Sequence, residues 1–356
     1  AVSTAFLLCF AVCAGLMTLG FLFSPALIEA IQTPPEIFDD TMLYLNIYTG
    51  GLVFLFFYNI ATGIFASLGD SRTPFLFLAA SSIANIALDV LFVTAFRMGV
   101  AGVAWATFLC QGVSCVLAVL ALFRVLSRME TDEPPRLFSG RILLNLVKVA
   151  LPSTLQQCFV SVGNILIQSI INGFGTSAIA GYAAAIKFNN FAVTSFNTLG
   201  NGMSNFTAQN LGAMQTDRVR EGYKGCLKMM AGIATLFVLV YVFFGGQVIR
   251  LFLNDESSGS LAVGVEFLLI VSPFYYTVAL KLATDGVLRG ASRMTEFMTD
   301  TFVDLAMRVA LSFILAGPFG LTGVWWSWPI SWCVSSGLSV LFYRRGRWAN
   351  LGSAEP

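Results

Sequence analysis

The chain has 356 residues, of which 57% are hydrophobic and only 11% charged, and its formal net charge is +1. A water-soluble domain carries about a quarter of its residues charged, so this composition describes a polytopic membrane protein. The near-zero charge gives no footprint for nucleic acid, and the absence of histidine excludes Ser-His and Cys-His catalysis, His-ligated zinc and histidine proton relays.

Apolar runs set against Gly, Pro and polar punctuation predict an all-α fold of ten spanning helices. They lie near 1–23, 42–66, 75–96, 100–124, 147–171, 178–203, 226–250, 264–289, 298–318 and 322–343. The first opens on Ala1, inside a hydrophobic run with no Met start, so the chain is expected to begin partway into a longer protein. A polar stretch with Glu130, Asp132, Glu133 and Pro134-Pro135 divides four helices from six. The expected organisation is an incomplete N-lobe (1–128), a cytoplasmic linker (129–146), a C-lobe (147–345) and a cytoplasmic tail (346–356). Cys9, Cys13, Cys110, Cys115, Cys158, Cys226 and Cys333 sit in apolar segments without metal-ligand spacing and read as small hydrophobes with no disulfide.

The span near 75–96 carries one charge, Asp89, with Asn85 four residues earlier on the same helix face. A carboxylate at membrane depth costs about 2.5–3.5 kcal/mol even on lenient insertion scales, so such a residue faces an interior cavity and marks an ion pathway. The plainer alternative is a hydrogen bond that locks this helix to a neighbour. Ahead of it, Gly69-Asp70-Ser71-Arg72-Thr73-Pro74 forms a turn in which Asp or Ser caps the helix and Pro suits its first turn.

Lys and Arg in the short loops set the orientation. Fifteen of the 20 fall on one side, from Arg72 through Arg124, Arg128, Arg141 and Arg218 to Arg344, Arg345 and Arg347; Arg97 and Arg250 lie on the other. The rich side is cytoplasmic, which places the C-terminus there. Glu29, Glu36, Asp39, Asp40, Asp255 and Glu256 fall in the outer loops.

A shift of 221 residues lays Gly69, Ser71 and Arg72 on Gly290, Ser292 and Arg293, and then Gly99, Gly102, Val103 and Trp105 on Gly320, Gly323, Val324 and Trp326, with no gap. Two helical copies in the same orientation make parallel repeats about an axis along the membrane normal, a common transporter design. The two helices between 147 and 203 have no counterpart in the first copy, so the intact protein is expected to carry about two more before Ala1, twelve in all. Asn85 and Asp89 align with Ala306 and Ala310, so this polar pair belongs to one copy only.

The second half has its own polar groups. Gln156, Gln157, Asn164 and Gln168 share one helix, and Lys187, Asn189, Asn190 and Asn197 the next; they either line a cavity or hold helices together. Lys281 with Asp285 and Asp304 with Arg308, each four apart, read as internal ion pairs near helix ends.

With these pieces placed, the chain resembles the bacterial MATE (multidrug and toxic compound extrusion) transporters. The resemblance rests on Leu68-Gly-Asp-Ser-Arg-Thr-Pro74, Asn85-Ile-Ala-Leu-Asp89, Gly99-Val-Ala-Gly-Val-Ala-Trp-Ala-Thr107, Leu151-Pro-Ser-Thr-Leu-Gln156, Ala208-Gln-Asn-Leu-Gly-Ala213 and Val287-Leu-Arg-Gly290. It implies a pair of pseudo-symmetric helical lobes, of which this chain looks like helices three to twelve. The implied function is H⁺- or Na⁺-coupled antiport that exports organic cations and other drugs, from a bacterial inner membrane, as a monomer with no cofactor and no enzymatic activity. Asn85, Asp89 and Thr107 match the cation-coupling positions of one branch, where H⁺ or Na⁺ would bind; the partner Asp of the first helix would precede Ala1. The NorM-type branch places acids near Val160 and Val278, where this chain departs from it. For the substrate cavity the expected residues are Gln156, Asn164, Gln168, Lys187, Asn189 and Asp285. The alternative function is a lipid-linked oligosaccharide flippase of the same superfamily, which tends to line its cavity with several cations.

Overall fold

The computed structural model describes residues 2–30, 35–128, 137–253 and 258–349. The expected linker acids and prolines, Asp255, Glu256 and the end of the tail lie outside them, as does the side chain of Glu36. The described residues are helical apart from short turns. They divide into two compact units, 1–147 and 148–356.

In the first unit α1 (Val2–Ala30), α2 (Pro35–Ser67), α3 (Arg72–Val90) and α4 (Gly99–Leu126) follow one another, with a π-helical turn Leu91–Ala95 closing α3. Its small core is Ala61 and Phe65 of α2 against Ala118 and Leu122 of α4. Large apolar side chains such as Phe75, Ile83 and Ile86 on α3 are more than 60% exposed, a surface that water would penalise and hydrocarbon covers.

The turn before α3 is built on Asp70, whose Oδ1 accepts the backbone N–H of Arg72 and of Thr73, each at 3.0 Å. Hydrogen bonds from the Thr73 side chain and then its backbone hold the Asp70 carboxyl below its ordinary range. Asp70→Ala is expected to cost roughly 1 kcal/mol, read as a lower midpoint in thermal unfolding. Because the folded pKa is depressed, the cap contributes fully at neutral pH and fades as pH falls through the carboxylate range, so the difference between wild type and Asp70→Ala should shrink in acid.

The second unit holds α5 (Gly140–Asn172, which begins within the first unit), α6 (Thr176–Gly212), α7 (Thr216–Arg250), α8 (Ser258–Val271), α9 (Tyr275–Gly290) and α10 (Met294–Arg344). Helix α5 starts at Gly140, so part of the stretch expected as linker is helical. The single helix expected near 264–289 is broken by a 3₁₀ turn at Ser272–Phe274, where Pro273 removes a backbone donor. Helix α10 contains both of the last two expected spans. Its backbone leaves helical geometry at Gly320 (φ 60°, ψ −143°), and Ser312 and Ser327 on the two arms meet at 2.8 Å. Gly99 stands at the equivalent place in the first copy with φ 56°. At both places the glycine three residues on is required by close approach: a Cβ on Gly102 would meet Phe92 Cβ at 2.9 Å, and one on Gly323 would meet the Leu315 carbonyl oxygen at 2.3 Å. The repeat read from the sequence is thus carried by turns of the same construction.

Eight described segments are long and apolar enough to cross a membrane. The difference from ten has two causes: Met294–Arg344 counts once, and α6 falls short because its carboxamides lower its hydropathy. The core of this unit is aromatic, with Trp325 stacked on Tyr182 (5.5 Å) and edge-on to Phe267 (5.1 Å). Small residues bring α6 and α9 together, since a Cβ on Gly286 would lie 2.5 Å from the Gly200 carbonyl oxygen.

Candidate functional site

Helix α3 is pinned to α4 by two hydroxyls: Ser81 donates to the Cys110 carbonyl (3.0 Å) and Ser114 to the Phe77 carbonyl (3.2 Å). Continued along this antiparallel pair, the register puts Asn85 level with Ala106 and Asp89 level with Gly102. Ser81, Asn85 and Asp89 run down one face at four-residue spacing and are half-buried, while Ile83, Ile86 and Val90 are exposed. Asp89 Oδ1 and Asn85 Nδ2 are buried and have no hydrogen-bond partner among the described residues. None of the ion pairs among the described residues involves Asp89. No hydrogen bond among the described residues locks α3 to a neighbour at these two atoms; they are shielded polar atoms left without a partner. Thr107 does not supply the missing partner, and lies with Tyr44, Tyr48 and Gln111 along a shallow depression between α2 and α4.

The second unit encloses a cavity of about 490 Å³, within the range of pockets that hold drug-sized molecules. Gln156, Asn164 and Gln168 from α5, Asn189 from α6 and Asp285 from α9 line it. Lys187 does not: it is exposed, with its ammonium 4.6 Å from the centre of the Phe252 ring. The physical reason is helical phase, since Lys187 and the buried Asn189 are two residues apart and point away from one another. Val160 and Val278, where the NorM-type branch would carry acids, also line the cavity. Several of its carboxamides are already engaged: Gln156 donates to Thr301 Oγ1 (3.0 Å), Gln168 to Asn172 (2.8 Å), and Asn189 accepts from Tyr275 OH (3.2 Å).

Both expected internal ion pairs form, and both are buried. Lys281 Nζ lies 2.7 Å from Asp285 Oδ2 and 2.8 Å from Asp300 Oδ2, and all three residues are at most 5% exposed. Ser339 Oγ stands 3.0 Å from Asp285 Oδ1 and 2.7 Å from Asp300 Oδ2, tying α9 to both arms of α10. One turn further on, Arg308 pairs with Asp304, and its guanidinium lies over Trp328 at 4.5 Å. Arg289 donates to Asn201 Oδ1 at 2.8 Å. Sequence reasoning did not single out Asp300, Ser339, Trp328 or Trp332, and it took Arg289 only as part of the Val287-Leu-Arg-Gly290 motif. The signal for Asp300 was present, because Asp300, Asp304 and Arg308 repeat every four residues on one helix face.

Comparison with known proteins places these features in a family. The chain is 26% identical over 330 residues to "Probable multidrug resistance protein YpnP" of Bacillus subtilis (strain 168), covering 92% of this chain and 73% of that protein. It is 24% identical over 340 residues to "Probable multidrug resistance protein YoeA" of the same organism, with the same coverage. Its fold is similar to a solved structure described as the outward-facing conformation of a multidrug resistance MATE family transporter of the MOP superfamily, with a TM-score of 0.88 at 22% identity over 97% of this chain and 78% of that one. The MatE family model matches residues 1–91 and 152–314, well over half of the chain, and the chain therefore belongs to the MatE family of membrane transporters.

Proposed function

We propose that this multi-pass membrane protein is a secondary multidrug efflux transporter that exports drug-like molecules by alternating access, driven by inward H⁺ or Na⁺ bound at Asp89. Family membership and relatives described as multidrug resistance proteins support export. The observation that supports Asp89 as the ion seat is its buried Oδ1, about three-quarters of the way along the span Arg72–Ala95, with no partner among the described residues. A proton there neutralises the acid; a sodium ion would take the carboxylate together with the Asn85 side-chain oxygen. In either case the ion changes the charge of α3 and hence its preference between two packings. Only a differential affinity of that kind couples ion to drug. The chain works as a single subunit, with its C-terminus on the cytoplasmic side and no chemical step.

A lipid-linked sugar flippase is disfavoured, because the cations that would bind anionic headgroups are already engaged: Lys281 and Arg308 are paired with acids. The deciding experiment uses the full-length protein in vesicles, with ethidium efflux followed under an imposed H⁺ or Na⁺ gradient. Export that requires one of the two gradients is expected. Flipping of a lipid-linked sugar with no ethidium export under either gradient would overturn the reading.

A further inference from the structure

We propose that the Lys281–Asp285–Asp300–Ser339 cluster of the second unit is a proton-binding site in its own right, in which Asp285 and Asp300 share one acidic proton through the Ser339 hydroxyl. Neither Asp89 nor the transport reading above enters into it.

Hydrogens are the first constraint. The two arms of α10 meet in a fixed register, Ser312 opposite Ser327 and Arg308 opposite Ser331, and the same register sets Ser339 opposite Asp300. Ser339 Oγ thereby lies 2.7 Å from Asp300 Oδ2 and 3.0 Å from Asp285 Oδ1. A hydroxyl carries one hydrogen, and an ionised carboxylate only accepts. With both acids ionised, one of these two short contacts sets lone pair against lone pair. A proton on Asp300 removes the conflict: Asp300 Oδ2–H donates to Ser339 Oγ, and the Ser339 O–H donates to Asp285 Oδ1. Lys281 Nζ still reaches Oδ2 of each acid, at 2.7 and 2.8 Å.

Charge is the second. Asp285 and Asp300 are at most 1% exposed, and the one cation paired with them among the described residues is Lys281. The charges around them are committed elsewhere. Asp304, one turn along α10, pairs with Arg308; Arg289, one turn along α9, is less buried and donates to Asn201. Tyr223 of α7 approaches only through Thr284, at 2.8 Å. Two carboxylates on one ammonium leave a buried negative charge unmatched, and one proton matches it. A separate atom points the same way: Asp300 Oδ1, on the other side of its carboxyl, is sealed off and has no partner among the described residues. An ionised group would spread charge onto that bare oxygen, whereas in a neutral acid it is a carbonyl, far cheaper to leave unpaired.

The shared hydroxyl makes the proton mobile. When Asp300 passes its proton to Ser339 and Ser339 passes its own to Asp285, each O–H bond broken is replaced by one formed, and the negative charge moves from Asp285 to Asp300. Among the described residues that line the cavity are Lys281 and Asp285 but not Asp300. Protons therefore exchange with the cavity through Asp285 and are stored on Asp300, and the titration belongs to the pair.

The test is infrared spectroscopy of the purified full-length protein at neutral pH, in H₂O and in D₂O, with Asp89→Asn as the parent so that residue 89 contributes no acid. The parent should show the carbonyl stretch of a protonated carboxylic acid, shifted in D₂O. Adding Asp300→Asn or Asp285→Asn should abolish that band, because Lys281 then faces a single acid. Adding Ser339→Ala should keep the band and move its frequency, because the acid loses the hydroxyl it donates to. No such band in the parent, a band retained after either Asp→Asn change, or a frequency unmoved by Ser339→Ala would overturn the proposal. Should an Asp→Asn protein fail to fold, the parent's band and its shift in Ser339→Ala decide alone.

Discussion

Asp89→Asn in the full-length protein is expected to reduce gradient-driven ethidium efflux from vesicles at least about tenfold, within the range that ion–drug coupling energies produce. The substitution keeps the size and polarity of the side chain and removes its charge, so the helix should insert and fold as before. Drug binding at equilibrium should survive, fixed in the state that a neutral residue 89 favours. The reason for expecting so large an effect from one residue is its isolation: Oδ1 has no partner among the described residues, and the aligned position of the second copy is Ala310. Undiminished efflux in Asp89→Asn would remove the residue from the mechanism and leave ion coupling to the acids of the other unit.

The second large effect is on stability. Lys281→Met leaves Asp285 and Asp300, each at most 1% exposed, facing one another across Ser339 with no cation between them. Breaking a buried ion cluster by removing one partner costs about 3–5 kcal/mol, which for a unit of this size lowers the unfolding midpoint by roughly ten degrees. Replacing all three charges, as Lys281→Met/Asp285→Asn/Asp300→Asn, should recover most of that loss, because a buried cluster contributes little against neutral groups of similar shape. Thermal unfolding of the three proteins side by side checks this. A single variant as stable as wild type would mean that water reaches the cluster and screens it.

Much of the architecture was legible because a bilayer demands it. Apolar runs of about twenty residues have to be helices, since only a helix satisfies its whole backbone within one segment in hydrocarbon, and paired glycines at a fixed shift exposed the duplication. Asp89 with Asn85 stood out for the same reason, as polar residues in an apolar run. What the pattern could not reveal were meetings between helices. Asp285 already had a cationic neighbour one turn away in Lys281, which concealed that the same ammonium also serves Asp300 on another helix. Lys187 was grouped with Asn189 by proximity along the chain, although two residues of helix turn them to different sides. The break at Ser272–Phe274 was written in Pro273, but the flanking residues are apolar enough to mask it.

The Lys281–Asp285–Asp300–Ser339 knot has a kinematic consequence. It ties α9 to both arms of α10, and parting them would expose charges in hydrocarbon, so these helices travel as one block. Helix α5 is attached to that block by softer means: the Gln156–Thr301 hydrogen bond, the Phe159–Phe302 ring contact at 4.8 Å and Leu305 lying over Gly163. The cavity therefore has a rigid wall and a yielding one, and the seam along which this unit can gape is the one between α5 and the first arm of α10.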